Sequence, residues 1–507
     1  MASVNTSLSL ARPTGISAAQ RLGATLAAVG VLTILVATLS AEISAFLPLT
    51  LGLTCLVAAG VVLTKDGWKL SRISIALLAV GVIALLFTRL KYAVPSIWPA
   101  LIIVLSLTIA SAIYYWDKFG RGTAGIRNNH TVKNDATRKG GTVAWFLALV
   151  FTGFYILLYW FPQHLEGLIR AMDPVSQALR GAPADQWLMY GLFYSMAVVL
   201  MGWRFILKYR HNRYQIVRTV TVSFFQLVIA FILPYFLEAL NRPSGLEYST
   251  HYFHYFWPLD YDALWPDTLS AMQGSLGFGS FAMFWSLAAA FIAVPVLTYF
   301  FGKRWYCSWV CGCGGLAETA GDPFRHLSDK SLKAWRIERV LIHSVLVLIT
   351  VVTLVLLVHW QWPGLLSLDE KFASGLKSSY GFVIASTFAG VIGVGFYPIM
   401  GSRVWCRFGC PQAAILGILQ KWFSRFRITT NGGQCISCGN CSTYCEMGID
   451  VKWYAQRGQN IVRASCVGCG ICSAVCPRGV LRLESGPIKG KTSFFVDRDE
   501  LKVLANG

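Results

Sequence analysis

Eight cysteines near the C-terminal end of this 507-residue chain form two runs with one spacing. The first is Cys435, Cys438, Cys441 and Cys445; the second is Cys466, Cys469, Cys472 and Cys476, followed by Pro477. Each reads C-x2-C-x2-C-x3-C, the bacterial ferredoxin pattern for a [4Fe–4S] cluster. Every cysteine of the second run stands 31 residues after its counterpart, as 435 does to 466, so the segment is an internal duplication. In two-cluster ferredoxins the fourth cysteine of each run serves the other run's cluster. That predicts one cluster on Cys435, Cys438, Cys441 and Cys476, and a second on Cys466, Cys469, Cys472 and Cys445. A pair of zinc knuckles also uses C-x2-C, but two full copies of a four-cysteine run favour clusters and hence one-electron chemistry.

Two further cysteine groups lie upstream. Arg304-Trp305-Tyr306-Cys307-Ser308-Trp309-Val310-Cys311-Gly312-Cys313-Gly314 and Arg403-Val404-Trp405-Cys406-Arg407-Phe408-Gly409-Cys410-Pro411 each hold a C-x3-C behind an aromatic residue. Cys307, Cys311, Cys406 and Cys410 are candidates for a shared third cluster, with Cys313 able to stand in for Cys311. Redox-active dithiols, a Cu(I) site or structural thiols are the alternatives. Gly312, Gly314 and Gly315 are expected to let backbone N–H groups approach sulfur. Cys55 is isolated and reads as a small buried hydrophobe.

The elements that must position these thiols are membrane helices. Hydrophobic residues make up 55% of the chain, charged residues 13%, and mean hydropathy is +0.54. A helix needs about 20 mainly apolar residues to span a bilayer. Ten stretches qualify: 22–40, 45–64, 72–89, 96–116, 142–162, 187–207, 216–237, 280–301, 340–360 and 382–401. The C-x3-C motifs directly follow the eighth and tenth. The polar N-terminus up to Arg21 precedes no small-residue cleavage site, so no removable signal peptide is expected. The expected fold is therefore an all-α polytopic membrane protein with a small C-terminal α+β two-cluster ferredoxin-like domain. Its segments would be a four-helix membrane part (1–116), a basic linker (117–141), a six-helix core (142–402), an amphipathic connector (403–434), the ferredoxin domain (435–485) and a tail (486–507).

Lys and Arg collect in one set of loops, at 65–71, 117–141, 208–215, 302–339 and beyond 402, whereas the alternate loops are neutral or acidic. By the positive-inside rule both termini and the ferredoxin segment are cytoplasmic. The formal charge of +20 then reflects topology and contact with anionic membrane lipid, and nucleic acid is not an expected partner.

Taken together, the two C-x3-C motifs at helix ends and the duplicated ferredoxin run resemble the membrane polyferredoxins of the NapH/NosR type, and more distantly the cytochrome-oxidase assembly ferredoxins. The likeness covers about residues 140–485. It implies a bacterial inner-membrane iron–sulfur protein that exchanges electrons between the quinone pool and a partner oxidoreductase or cytochrome subunit. The assembly branch implies instead a reductive maturation factor, for instance one reducing copper at the C-x3-C thiols. This chain departs from the pattern in having Gly312 where the family has proline, the extra Cys313, and Glu446 in place of the first run's proline.

Other cofactors are not expected. His164 and His359 could face one another at one membrane surface, but no motif supports a bis-histidine haem, and flavin signatures are lacking. His343 lies a further sixteen residues along the ninth span from His359, about 24 Å by helical rise. The run His251-Tyr252-Phe253-His254-Tyr255-Phe256-Trp257 is expected in the headgroup region, where Trp and Tyr are favoured, or as a docking surface. Glu238, close to the outer surface, is expected either to pair with Arg242 or to accept a quinol proton.

Overall fold

The computed structural model describes residues 98–120, 124–126, 141–170, 172–275, 277–366 and 369–486. Spans expected at 22–40, 45–64 and 72–89, and Cys55, lie outside them.

The described chain is mostly helical. Four helices are long and apolar enough to cross a membrane: Gln186–Tyr209, Arg213–Ser244, Phe278–Phe301 and Leu332–Gln361. A fifth span results if Ala144–Trp160 and Pro162–Arg170, which meet at 111°, are counted together. A further helix, Trp98–Tyr115, covers the fourth expected span. Side chains on the outer faces stay exposed, among them Phe284 at 67% and Val340 at 66%, as lipid-facing positions would be.

Helix limits follow local chemistry. Asp185 accepts a hydrogen bond from Leu188 N at 2.7 Å and Ser331 from Ala334 N at 3.1 Å, each satisfying an otherwise orphaned first-turn donor. Phe278–Phe301 ends at Gly302 with φ +69°. A Cβ there would meet Phe426 Cβ at 2.6 Å, so both the backbone angle and the space demand glycine.

The tenth expected span is redrawn. A helix begins early, at Glu370, continues as wide π-helical turns over Gly381–Ile392, and breaks before a short helix at Tyr397–Met400. Its first half carries Glu370, Lys371 and Lys377, and at its end Gly393 and Gly395 sit too close to Ala389 O and Val391 O to accept a side chain. The element is therefore not an unbroken apolar rod ending at 401.

Two antiparallel strands form the one sheet among the described residues: β1 (Phe426–Thr430) and β2 (Leu481–Ser485), in register Phe426↔Ser485 to Thr430↔Leu481. Thus β1, in the stretch read as a connector, closes the ferredoxin fold from its N-terminal side. The duplication is visible in the backbone. Positive φ recurs at Ser437 and Gly468, Gly439 and Gly470, and Gly448 and Gly479, each pair spaced as the cysteines are.

Candidate cysteine sites

The ferredoxin cysteines gather in two groups of four. Cys435, Cys438, Cys441 and Cys476 line one small cavity. Cys445, Cys466, Cys469 and Cys472 line another. Each group takes three thiols from one run and the fourth from the other. Four thiols around one cavity are the donor set that a [4Fe–4S] cluster takes. All thirteen described cysteines are free thiols.

The two groups live in different surroundings. Cys438 is exposed, and Ile436 beside it is 55% accessible. The second run is docked instead, through its backbone carbonyls, onto the start of Arg213–Ser244 and onto the segments that carry and follow the two C-x3-C motifs. Tyr214 Oη donates to Gly468 O (2.8 Å), Gln215 Nε2 to Cys469 O (2.9 Å), Ser308 Oγ to Val467 O (2.9 Å) and Gln420 Nε2 to Cys466 O (2.8 Å). Burial pushes the Cys466 thiol up to about 11 and Cys469 to about 12, with the Gly468 and Ile471 N–H groups pulling the other way. Cys445 is also raised by burial, although Ile449 N reaches its Sγ at 3.4 Å.

The C-x3-C cysteines form a third gathering. Cys307, Cys311, Cys406 and Cys410 are all buried; Cys410 feels the charge of the other three, Cys307 that of Cys311 and Cys406, and Cys406 that of Cys311. Burial lifts Cys307 to about 12; Cys311 and Cys406 add to the rise, and Lys303 and Arg403 oppose it. Ala413 N donates to Cys410 Sγ at 3.4 Å. The N–H groups of Cys313 and Gly314 point at Cys311, as expected from the glycine-rich turn. Gly314 also allows close passage: a Cβ there would stand 2.0 Å from Cys307 O. Cys313 hydrogen-bonds Cys311 from outside the four.

Arg403 ties this group together. Its Nη1 donates to Cys307 O at 3.0 Å and lies 3.6 Å from Cys406 Sγ, and its Nη2 meets Glu318 at 2.5 Å and Glu446 at 3.2 Å. Glu446 in turn accepts from Arg325 Nη1 at 2.6 Å. Arg325 contacts Asp322, which also holds Arg204 (2.9 Å) and Lys208 (2.8 Å); Arg218 pairs with Glu318. Burial alone would raise Glu446, but Arg325, Arg403 and Arg218 hold it below the usual carboxylate range. For Asp322, Lys208, Arg204 and Arg325 likewise outweigh burial.

This buried network corrects the reading of the cations as topology markers alone. Lys208, Arg325, Arg403 and Arg407 are internal, and Glu446 is the anchor through which the ferredoxin unit grips the helices. Its replacement of a pattern proline was the available signal.

The aromatic run at 251–261 is also placed differently. It enters the protein rather than lying at headgroup depth. Tyr306 Oη donates to His254 O at 2.9 Å, Phe256 packs on Tyr306 at 5.0 Å, and Trp257 Nε1 reaches Thr353 in the middle of Leu332–Gln361 at 3.2 Å. A Cβ on Gly312 would come within 2.8 Å of Tyr255 Oη. His254 is buried with both ring nitrogens unpartnered, and burial holds it at about 3, so its imidazole is neutral. Glu238 pairs with Arg242 as expected, and with Arg180 at 3.6 Å.

Comparison with known proteins agrees with this geometry. A 4Fe-4S binding domain matches twice, at 283–331 and 381–429, and a 4Fe-4S dicluster domain matches at 434–481. These are ferredoxin domains. The repeated match covers an apolar helix and its C-x3-C, so the motifs are two copies of one unit, Cys307 to Cys406 and Cys311 to Cys410, 99 residues apart. YccM of Escherichia coli (strain K12), named for electron transport, is 28% identical over 168 residues, which is 31% of this chain and 44% of YccM. The methylamine utilization ferredoxin-type protein MauN of Methylobacillus flagellatus is 26% identical over 156 residues, 30% of this chain and 52% of MauN. The chain thus spans about half the length of the curated relatives it matches. No solved structure matches. Ferredoxin domains, homology to these proteins and four apolar helices together fit a membrane polyferredoxin.

Proposed function

We propose that this protein is a membrane-bound electron relay between the quinone pool and a partner oxidoreductase. The observation that carries the reading is the order of the three thiol groups, from the ends of apolar helices to solvent. Cys307, Cys311, Cys406 and Cys410 form the innermost site, Cys445, Cys466, Cys469 and Cys472 the middle one, and Cys435, Cys438, Cys441 and Cys476 the outer one. One packed core joins Cys307 and Cys311 to Cys466 and Cys472 without an intervening solvent layer. A [4Fe–4S] cluster at each would supply one-electron transfer.

The chain's own residues prepare the sites. Lys303 is buried, donates to Ala464 O at 3.3 Å, and lowers Cys307, Cys406 and Cys466 alike. It therefore offers positive charge shared by the inner and middle sites, favouring thiolates at both. Arg403 does so for Cys307 and Cys406 of the inner site, and Arg325 and Arg218 for Cys469 of the middle one. Backbone N–H donors to sulfur and water exclusion set the potentials. The outer site presents Cys438 and Ile436 to a partner. Both termini, and the relay, are assigned to the cytoplasmic face of a bacterial inner membrane by the loop charge asymmetry.

In nanodiscs, anaerobic addition of a quinol should bleach the iron–sulfur absorbance, with reoxidation on adding quinone. Clusters inert to quinol and quinone over the physiological potential range would exclude a quinone-linked role. Loss of a cuproenzyme's metal in a deletion strain, with quinol exchange absent, would favour the maturation reading.

A further inference from the structure

A cavity of about 760 Å³ opens between the first turns of Leu332–Gln361, the helix Pro411–Phe423 and ferredoxin residues 447–465. No role in the relay accounts for it, although its floor reaches Cys406. Three cations face it with no ion-paired carboxylate among the described residues, Arg339, Arg463 and Lys421, whereas Lys330 lies under the charge of Asp329. Of the acids in its wall, Glu338 is neutralised by Arg407 at 2.7 Å, and Asp450 accepts from Ser442 Oγ at 2.6 Å, so cations outnumber the free carboxylate.

Two of these cations share one ring. The Arg339 guanidinium lies 4.9 Å from the Trp335 centroid and that of Arg463 lies 5.0 Å from it. Like charges held on one indole repel, and in a partly enclosed site water screens them less. An anion between them would turn that cost into a gain. The positive end of the 30-residue helix Leu332–Gln361 opens at the same place, through Ser331 and Leu332.

The mouth is not that of a purely aqueous anion site. Leu332, Ile418 and Trp422 line it and remain exposed at 57%, 39% and 58%. They belong to the polar end of a membrane helix and to an amphipathic helix beside it, the level at which headgroups lie. Basic pockets between membrane helices at that level take acidic lipid headgroups.

We propose that this cavity binds the phosphate of an anionic phospholipid, gripped by Arg339, Arg463 and Lys421, with the acyl chains leaving along Leu332, Ile418 and Trp422. The lipid fastens the ferredoxin unit to the bilayer beside the inner thiol site. It does so whether or not quinone is the electron donor.

The test uses the full-length protein, delipidated in detergent and offered phosphatidylglycerol, phosphatidylcholine or inorganic phosphate, with native mass spectrometry counting bound molecules. One phosphatidylglycerol should be retained in preference to phosphatidylcholine. R339Q/R463Q should weaken it roughly thirtyfold, at about fivefold for each cation lost. R339K/R463K, with charge kept, should recover most of the binding, and Lys421→Gln alone should cost about fivefold should the double variant misfold. Circular dichroism and iron content report folding. Equal retention of both lipids, phosphate binding without lipid retention, or wild-type affinity in folded R339Q/R463Q would each overturn the proposal.

Discussion

The two halves of the ferredoxin duplication share their spacing, their loop glycines and their helical turns, yet one is locked to the membrane helices and the other faces solvent. Gly468 and Ser437 show the difference at one position. Both adopt positive φ, 62° and 57°. A Cβ on Gly468 would press to 2.6 Å of Arg304 Cβ, whereas Ser437 carries a side chain freely and accepts a hydrogen bond from Gln456 at 2.7 Å. The sulfur ligands are repeated, but the surroundings are specialised: the second run's cysteine loop, with the first run's Cys445–Glu446 end, is built for docking, and the first run's loop at 435–441 for access. A relay between a buried site and a soluble partner needs that asymmetry.

The largest expected effect comes from breaking the dock. Glu446→Ala leaves Arg325 and Arg403 facing each other without their shared anion, and removing one member of a buried ion pair costs about 3–5 kcal/mol. Denaturant unfolding or limited proteolysis of the ferredoxin unit should show it. The equivalent position in the second run, Pro477→Ala, which lines the exposed site, should cost well under half as much. Parity between them would remove the asymmetry.

Next come the crossed ligands. Cys445→Ser should abolish the signal of the docked cluster and Cys476→Ser that of the exposed one, read by EPR on anaerobic protein. If each variant damages its own run's cluster, the grouping of thiols around the two cavities is not the ligation.

The pair Gly468→Ala and Ser437→Gly probes the same contrast more finely. The former should destabilise by about 1–3 kcal/mol through left-handed strain and the Arg304 clash. The latter should stay within about 0.5 kcal/mol, because relief of strain offsets the lost hydrogen bond.

The mildest perturbation is pH. Glu446 and Asp322 have folded-state values below their ordinary 4.5 and 3.8. The stability they contribute is complete above those ordinary values and is lost as pH falls through the depressed ones. Acid titration followed by tryptophan fluorescence should release the ferredoxin unit below about pH 4, and Glu446→Gln should flatten that dependence. Release near neutral pH would point to other groups.

What the sequence made legible was local. C-x2-C and C-x3-C place thiols within one or two turns of backbone, so spacing alone identifies them, and apolar runs identify spans because the bilayer fixes their length. The ionic network was hidden because its members are far apart: Arg325 and Glu446 are separated by 121 residues, Lys208 and Asp322 by 114. Each cation also satisfied the loop-charge rule, which left no residue to explain. The aromatic segment at 251–261 misled for a related reason. Trp and Tyr suit both headgroups and buried wedges, and only the cradle at Gly312, on a distant element, distinguishes them. β1 lacked a cysteine to mark it, and its pairing with β2 closes across the whole ferredoxin segment.

The central claim is three thiol sites in series, and iron content tests it most directly. Anaerobically purified wild type should hold about twelve iron and twelve sulfide per chain, and Cys406→Ser/Cys410→Ser about eight, with both ferredoxin EPR signals kept. About eight in both proteins, with identical spectra, would contradict the inner site and reduce the relay to its two outer steps.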